Sequence, residues 1–298
     1  MTFSIVAFDE NTGDLGVAVQ SKFICVGAIV PWANTGIGAI ATQAMANVSY
    51  GPKGLDLLKS GLGAKVVLQK LIAADNEKEH RQLAIIDAKG EVDAFTGKEC
   101  FEWAGHIVGD AFSVQGNILI SEETVESMAR AYENAKGDLS DKLLASLSAG
   151  GAEGMGDRRG KQSASILVVR EGGSYGGYID RLVDIRVDEH IEPIKEIRRI
   201  FKIYDMIFLT REDPENLFRI EGEIMTNIKS VLMDLGYLET SKRSEWGETE
   251  INALENWFGI NNFENKWNPD SKIWKSVYDY MMEERGTPSI SLNKMSEL

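Results

Sequence analysis

The order of the predicted secondary-structure elements is the feature that most limits the folds open to this chain. Apolar, β-branched segments predict strands, and amphipathic segments with a 3.6-residue period predict helices. Up to about residue 190 these elements run as strands, two helices, strands, two helices and strands. Strands and helices do not alternate singly, so a doubly wound parallel sheet fits poorly. Two largely antiparallel sheets between paired helices predict an α+β fold, a four-layer αββα sandwich.

Turn residues bound the individual elements. Residues 10–14 and 88–90 join neighbouring strands as hairpins. The predicted strands cover residues 3–8, 15–19, 23–30, 37–44, 82–87, 91–95, 111–115, 163–170 and 178–187. The predicted helices cover about 50–60, 64–74, 122–135, 139–147 and 192–209.

The character of the sequence changes after the last of these helices. Residues from about 211 are helical in pattern and hold four of the six tryptophans. We therefore predict a sandwich domain over 1–210 and a separate small helical domain over 211–298.

Composition excludes several classes of function. The chain has 298 residues, 43% hydrophobic and 26% charged, which is typical of a globular protein. A net charge of -14 argues against binding to nucleic acids or to anionic membranes. We expect a cytoplasmic protein, because the sequence shows neither a signal-peptide pattern nor an apolar run of membrane-spanning length. Cys25 and Cys100 are then expected to be free, buried thiols.

Thr2 is the first candidate catalytic residue. It follows Met1, so ordinary methionine trimming would expose it as a new N-terminus. A threonine hydroxyl is a poor nucleophile by itself, but a neutral α-amine on the same residue can act as its base. Such an amine titrates near pH 8, so part of it is neutral at physiological pH. The alternative is that Thr2 is only a small residue of the kind favoured after Met1.

A glycine-rich segment at 149–160 is the second feature with functional interest. It lacks the glycine and lysine spacing of the nucleotide-binding loops, so a nucleotide role is weakly supported. Its Asp157, Arg158 and Arg159 could present charges at a pocket, and a flexible connection is an equal alternative.

The sequence gives little support for other chemistry. His80, His106 and His190 have no metal-ligand spacing. Asp180, Asp184 and Asp188 would share one face of a strand, where salt bridges with nearby arginines are favoured over a bound cation. No serine or cysteine nucleophile lies in a recognisable catalytic motif. We therefore expect no metal and no cofactor.

Many short segments in the first two-thirds of the chain together carry a family resemblance. They are residues 1–7 (MTFSIVA), 16–19, 21–23, 41–43, 47, 50–51, 103–106, 114–117, 156–164 and 184–188. This pattern resembles the N-terminal nucleophile hydrolases, the superfamily of the proteasome β subunits and penicillin acylases. More closely, it is similar to a branch of that superfamily with no assigned function, whose members begin with MTFSIVA-type sequences. The αββα sandwich that the resemblance implies agrees with the element order.

The resemblance also implies roles for individual residues. Thr2 would be the nucleophile and its own amine the base. Gln43 would lie near the backbone groups of the oxyanion hole, with Asp157 and Ser163 near the terminal amine. The further catalytic and substrate-binding candidates are Asn117, Ser21, Asn47, Arg158 and Arg159.

One departure from the superfamily concerns a cation beside the threonine. Proteasome-like enzymes carry a lysine there, and the matching stretch 26–30 has none. Lys22 is the nearest cation in the sequence, and we expect it to lower the pKa of the amine in place of that lysine.

The last part of the chain is similar to small three-helix peptidoglycan-binding domains. Residues 228–238, 246–250 and 254–258 carry this similarity. The tryptophans could equally form the core of a small domain.

Taken together, these features predict an amide-bond hydrolase that acts on a small or peptide-like amide through Thr2. The alternative is a non-catalytic binding or scaffold protein that keeps the sandwich and recruits a partner through its C-terminal domain. Assembly as a homo-oligomer is expected in either case.

Overall fold

Strands from the first two-thirds of the chain pair into two separate sheets. The computed structural model describes residues 2–209, 211–239 and 246–289. The described strands are β1 (Thr2–Asp9), β2 (Asp14–Ser21), β3 (Pro31–Asn34), β4 (Gly38–Ala44), β5 (Arg81–Asp87), β6 (Val92–Thr96), β7 (Gly105–Gly109), β8 (Phe112–Asn117), β9 (Ser163–Val169), β10 (Arg181–Val187), β11 (Leu217–Arg219) and β12 (Lys272–Trp274). The described helices are α1 (Tyr50–Lys59), α2 (Ala64–Ala73), α3 (Glu123–Asn134), α4 (Leu139–Gly150), α5 (Pro193–Tyr204), α6 (Gly222–Asp234), α7 (Glu248–Ile260) and α8 (Lys275–Glu283).

Both large sheets are antiparallel, and β1 lies inside the larger one. The six-stranded sheet has the order β10-β9-β2-β1-β8-β7, and the four-stranded sheet the order β3-β4-β5-β6. Every residue of β1 pairs with β2, from Thr2 opposite Ser21 to Asp9 opposite Asp14. The predicted first hairpin is therefore confirmed, and Thr2 begins a strand that has neighbours on both sides.

The two sheets stack between helices, which confirms the predicted αββα sandwich. Valines, alanines and leucines of β1, β2, β4, β5 and β9 form one apolar cluster between the sheets. A second cluster joins the outer face of β4 and β5 to α1 and α2. On the other side α4 lies against β2, where a Cβ on Gly16 would come within 2.6 Å of Leu143 Cδ1. The Tyr132 ring of α3 packs on Phe112 of β8, with centroids 4.7 Å apart.

The predicted strand at 23–30 is wrong. This segment is a turn followed by a short 3-10 helix, Val26–Ala28, and Cys25 adopts a left-handed φ of 55°. Backbone groups of this segment bond to other parts of the fold, as where Cys25 N donates to Asp188 O. Gly27 also approaches Ser165 so closely that a Cβ would lie 2.7 Å from it. A strand forms instead just after this segment, as β3, between the two predicted strands 23–30 and 37–44.

Other elements differ at their limits. The predicted strand 178–187 begins at Arg181, so Asp180 and Asp188 lie outside it, and a register shift interrupts its pairing after Arg181. The predicted helix 192–209 is α5 followed by a π-helical turn, Asp205–Leu209. Strand β7 was not predicted, because its alternation of half-buried and exposed residues includes two glycines and a histidine.

The chain divides into two compact units, Met1–Phe201 and Lys202–Leu298. The predicted domain limits at 210 and 211 stay a prediction. In the second unit α6, α7, α8 and the β11–β12 pair surround an apolar cluster centred on the fully buried Trp257. Trp246, Trp267 and Trp274 are partly buried against it. The tryptophans thus contribute to the core of this unit, as one of the two interpretations of the sequence expected.

Candidate active site

Four polar residues form a continuous row across one end of the six-stranded sheet. Thr2 of β1 lies opposite Ser21 of β2 and opposite Asn117 of β8. Ser21 in turn lies opposite Ser163 of β9. Residues directly opposite each other on antiparallel strands project to the same face. The row, which we call the Thr2 row, therefore gathers Asn117, Thr2, Ser21 and Ser163 on one face.

The Thr2 row faces the four-stranded sheet. Asn117 Nδ2 donates to Gln82 Oε1 on β5 at 3.0 Å, across the gap between the sheets. Thr2 Oγ1 lies 3.0 Å from Ser21 Oγ, and either hydroxyl can be the donor. Thr2 as a whole residue is 6% exposed, so it is nearly buried at the end of the gap. A hydroxyl held this way has a fixed orientation and a second hydroxyl within proton-transfer distance.

Ser163 holds the loop that follows β2. Its hydroxyl accepts from Val26 N at 3.0 Å and donates to Phe23 O. This serine was expected near the terminal amine. Its contacts show a positioning role for the 23–26 loop beside Ser21.

Asp157 lies behind the Thr2 row and is 7% exposed. Its two carboxylate oxygens accept from Lys22 N and Arg159 N, both at 2.9 Å. Burial raises the pKa of the Asp157 carboxyl, and the two backbone hydrogen bonds oppose that shift. The carboxylate thereby fixes the residue that follows Ser21 and so the end of β2.

Lys22 contributes to this arrangement through its backbone. Its side chain is exposed, and Nζ reaches Lys161 O at 3.4 Å. The expected effect of the Lys22 ammonium on the pKa of the terminal amine stays a prediction. The contact that Lys22 makes near the Thr2 row is the hydrogen bond from its backbone N to Asp157.

Gln43 does not join the Thr2 row but belongs to a buried polar network between the sheets. It accepts from Ser4 Oγ at 2.7 Å and donates to Gln82 Oε1 at 2.8 Å. Gln115 Nε2 bonds Ser4 Oγ at 2.6 Å, which closes the network on the six-stranded sheet. Since the carboxamide of Gln43 serves this interior network, the predicted oxyanion role rests on backbone groups alone.

Gln82 is the centre of this network and was not predicted from the sequence. Besides its two bonds through Oε1, its Nε2 lies 2.9 Å from Thr96 Oγ1, 3.1 Å from Gly105 O and 2.8 Å from Gly116 O. It is fully buried. The available signal was a glutamine that opens the apolar run Leu83–Ile86, where a polar residue needs partners to be buried.

Asn47, a predicted substrate-binding residue, lies in a different cluster. Its Nδ2 donates to Asp75 Oδ2 at 3.1 Å, and its Oδ1 accepts from Ser49 Oγ at 2.8 Å. Tyr50 and Arg81 also donate to Asp75, at 2.7 and 3.1 Å. Burial opposes ionisation of Asp75, but these hydrogen bonds outweigh it and hold its pKa below the usual range. Within the described residues no hydrogen bond joins Asn47 to the Thr2 row, so its contacts indicate a structural role.

Arg158 and Arg159, by contrast, lie beside the Thr2 row. They line a cavity of about 230 Å³ together with Phe101 and Ile118. Ile118 directly follows Asn117, and its N donates to Phe101 O while its O accepts from Arg158 N, at 2.9 and 3.1 Å. Ile118 has a left-handed φ of 54°, which for a β-branched residue costs about 1–3 kcal/mol. Two lining residues of the cavity, Phe101 and Arg158, are thus hydrogen-bonded to Ile118, a strained residue next to the Thr2 row.

Histidines and carboxylates elsewhere show ordinary structural contacts. Asp184 pairs with Arg181 and Arg186 at 2.7 and 2.9 Å, as the salt-bridge interpretation expected. His106 Nδ1 lies 2.8 Å from Thr96 Oγ1, and burial lowers its pKa. Across 2–209, 211–239 and 246–289 no group of three or more histidine, cysteine, aspartate or glutamate residues is placed to hold a metal ion. Nor is any helix in those ranges long and apolar enough to cross a membrane.

Comparison with protein families shows to which family the first unit belongs. A family model described as "Family of unknown function (DUF1028)" matches residues 2–197. The chain belongs to this family. The match includes the Thr2 row, Asp157 and the cavity arginines. The predicted branch is confirmed, and no activity is assigned to this family.

Solved structures give a consistent result for the fold. The crystal structure of protein SPO2555 from Silicibacter pomeroyi, a DUF1028 member, is 29% identical and superposes with a TM-score of 0.62. That alignment covers 68% of this chain and 86% of the other. Anbu, an ancestral β-subunit from Yersinia bercovieri, aligns over 72% of this chain and 98% of its own at 10% identity. Its TM-score of 0.32 is too low for any argument from that protein.

Outside the DUF1028 region a second model, described as "Putative peptidoglycan binding domain", matches residues 207–281. This agrees with the similarity seen in the sequence. None of the curated proteins compared matches the chain.

Proposed function

We propose that this DUF1028 protein is an N-terminal nucleophile amidohydrolase that cleaves a small or peptide-like amide with Thr2 after Met1 has been removed. The observation that carries the proposal is the Thr2 row. It sets the Thr2 hydroxyl 3.0 Å from Ser21 Oγ in a nearly enclosed position at the end of a fully paired strand. Homo-oligomeric assembly and a cytoplasmic location stay predictions beside it.

The chemistry needs only groups that Thr2 and its neighbours supply. The neutral α-amine takes the proton from Thr2 Oγ1 as the oxygen attacks the amide carbonyl. The tetrahedral intermediate collapses to an ester on Thr2, and the departing amine takes that proton. A water molecule then attacks the ester while the α-amine again removes a proton. This step releases the carboxylic acid and restores the threonine hydroxyl.

The surrounding residues support this role by fixing geometry. Thr2 pairs on both sides, so its Cα cannot shift without disturbing β2 and β8. Asp157 fixes the end of β2 through Lys22 N, and Gln82 fixes the side chain of Asn117. Holding a reacting group in one geometry supplies a large share of catalytic rate. The alternative of a binding or scaffold protein gives no chemical reason for a hydroxyl enclosed at this position.

The test starts with the intact mass of the purified protein, because only loss of Met1 creates the basic amine. Release of amine from a panel of N-acyl amino acids and dipeptides then measures turnover. Thr2→Val keeps the shape of the side chain without the hydroxyl, and we expect turnover to fall at least about 10³-fold. Thr2→Ser keeps a hydroxyl and should retain measurable turnover.

A β-lactone probe tests the nucleophile without a known substrate. Attack by Thr2 Oγ1 opens the lactone and adds its whole mass to the Thr2 peptide, with no leaving group. Thr35→Val, in the turn between β3 and β4, is the matched control and should leave turnover and labelling unchanged. Full turnover in Thr2→Val, labelling at another residue, or retention of Met1 in the active protein would each refute the proposal.

A further inference from the structure

The cavity lined by Phe101, Ile118, Arg158 and Arg159, which we call the arginine cavity, has two cationic residues and no acidic residue among the described residues that line it. The chain carries a net charge of -14, so most of its surface repels anions. Two of the four residues that line the cavity are arginines, whose guanidinium groups stay protonated at all physiological pH values. An anion could bind here while it is repelled elsewhere.

The arginine cavity is close to the Thr2 row. Thr2 and Asn117 are directly opposite on adjacent strands, and Ile118 is the next residue after Asn117. From the spacing of paired strands and of consecutive Cα atoms, the Thr2 and Ile118 Cα atoms are no more than about 9 Å apart. A small molecule whose carbonyl lies at Thr2 Oγ1 can therefore place another group in the cavity.

We propose that the arginine cavity binds a carboxylate of the substrate, so that the amides cleaved at Thr2 are small carboxylate-bearing amides such as N-acyl amino acids. This inference rests on the proposed hydrolase function. The planar fork of a guanidinium matches the two oxygens of a carboxylate. Phe101, which is 66% exposed, adds an apolar surface for an aliphatic side chain next to that carboxylate.

Local charges favour a single negative charge on the ligand. Arg159 lies two residues after Asp157, whose carboxylate accepts from the Arg159 backbone N. One guanidinium nitrogen of Arg158 already donates to Glu102 O at 2.6 Å, which orients the group and leaves its other N–H donors for a ligand. Two cations beside one carboxylate leave an excess of about one positive charge, which suits a monoanion better than a phosphate dianion.

The experiment compares N-acetylleucine with its methyl ester, which has the same amide bond but no carboxylate. Wild type should prefer the free acid in kcat/KM. Arg159→Gln should reduce that preference about 10- to 100-fold, the loss expected for one charge-assisted hydrogen-bonding group, because kcat/KM should fall more for the acid than for the ester. The Arg159 guanidinium makes no hydrogen bond to any residue that the structure describes, so this variant should fold normally.

A charge-matched control separates local binding from long-range attraction. Arg130→Gln removes the same charge from the exposed surface of α3, where Arg130 pairs with Glu123. It should keep the preference for the free acid. The inference is overturned if Arg159→Gln and Arg130→Gln reduce the preference equally, or if wild type cleaves the acid and the ester equally well.

Calorimetric titration of N-acetylleucine into the Thr2→Val protein keeps this inference separate from the proposed function. Binding that weakens about 10- to 100-fold in Thr2→Val/Arg159→Gln supports the cavity assignment even if wild type cleaves nothing, which would refute only the hydrolase. Turnover of amides with no arginine-dependent preference would refute only the cavity assignment. If Thr2→Val does not bind N-acetylleucine, the assignment is wrong.

Discussion

The buried amide network makes the strongest quantitative prediction, and Gln82→Met tests it. Methionine has nearly the length of glutamine but no hydrogen-bonding carboxamide. The change leaves Asn117 Nδ2 without its 3.0 Å acceptor and Gln43 Nε2 with only a 3.5 Å contact to Gln115 O. Each buried donor left unpaired costs about 1–3 kcal/mol. We therefore expect the first unit to lose about 2–6 kcal/mol of its free energy of unfolding.

Gln20→Met is the matched control, on β2 of the six-stranded sheet and on the face opposite to the Thr2 row. Gln20 is 1% exposed, and its Nε2 has no hydrogen-bond partner among the residues that the structure describes. Removing a buried polar group that lacks a partner recovers its desolvation cost. The same substitution should therefore change stability by less than about 1 kcal/mol or increase it.

Native-state hydrogen exchange of β1 and β8 amides is the appropriate assay. The chain has two units, so a single unfolding transition is not expected, and four of the six tryptophans lie in the second unit. A loss of 2 kcal/mol appears as exchange about 30-fold faster in the Gln82→Met protein. Equal exchange rates in Gln82→Met and Gln20→Met would show that the network bonds of Gln82 add nothing beyond burial, and the reasoning would fail.

Two further predictions concern the ion pairs of Asp14 and Asp75 in the first unit. Asp14 is fully buried and accepts from Arg170 Nε and Nη2 at 2.7 Å each. Arg170→Ala should therefore lower the free energy of opening, measured by hydrogen exchange of β2 and β9 amides, by about 3–5 kcal/mol, and Arg170→Lys should recover part of that loss. A loss below about 1 kcal/mol would contradict this prediction. The pKa of the Asp75 carboxyl is lower in the folded protein than in the unfolded chain. The ionised carboxylate therefore stabilises the fold at pH values above the unfolded pKa, which is near 3.9, and this stabilisation is lost as the pH falls from that value toward the folded pKa. Asp75→Asn should remove that part of the acid dependence in thermal unfolding of the first unit, and an unchanged pH profile would refute the assignment.

The sandwich could be predicted because apolar periodicity reports burial on each face of an element. Residues 3–8 and 15–19 are apolar on both faces, which requires cover on both sides, and β1 and β2 have it. Apolar periodicity predicted the wrong structure for residues 23–30, where it indicated a strand. Val26 and Val30 are buried as a strand would require, but Phe23 and Ile24 are exposed and the Ser163 hydroxyl bonds the backbone of the loop. A side chain 140 residues away therefore decides the conformation.

The candidate site could be predicted in part for a related reason. Thr2 was a candidate from its place after Met1, and Ser21, Asn117 and Ser163 were suggested by the resemblance. Strand register then brings the four together. Gln82 could not be found in this way, because its hydrogen-bond partners come from four other strands, two of them across the gap between the sheets. Asn47 was suggested by the same resemblance, yet its partners are Asp75 and Ser49.

The register of β1 also explains how one covalent change could activate this site. Thr2 is already paired with Ser21 and Asn117 when it is the second residue of the chain. Removing Met1 converts the Thr2 nitrogen from an amide, which is not basic, into an amine that titrates near pH 8. The seven following pairs of β1 with β2, from Phe3 to Asp9, need not change. In the proposed mechanism the hydroxyl, the Thr2 row and the arginine cavity are thus assembled beforehand, and methionine removal would supply only the base.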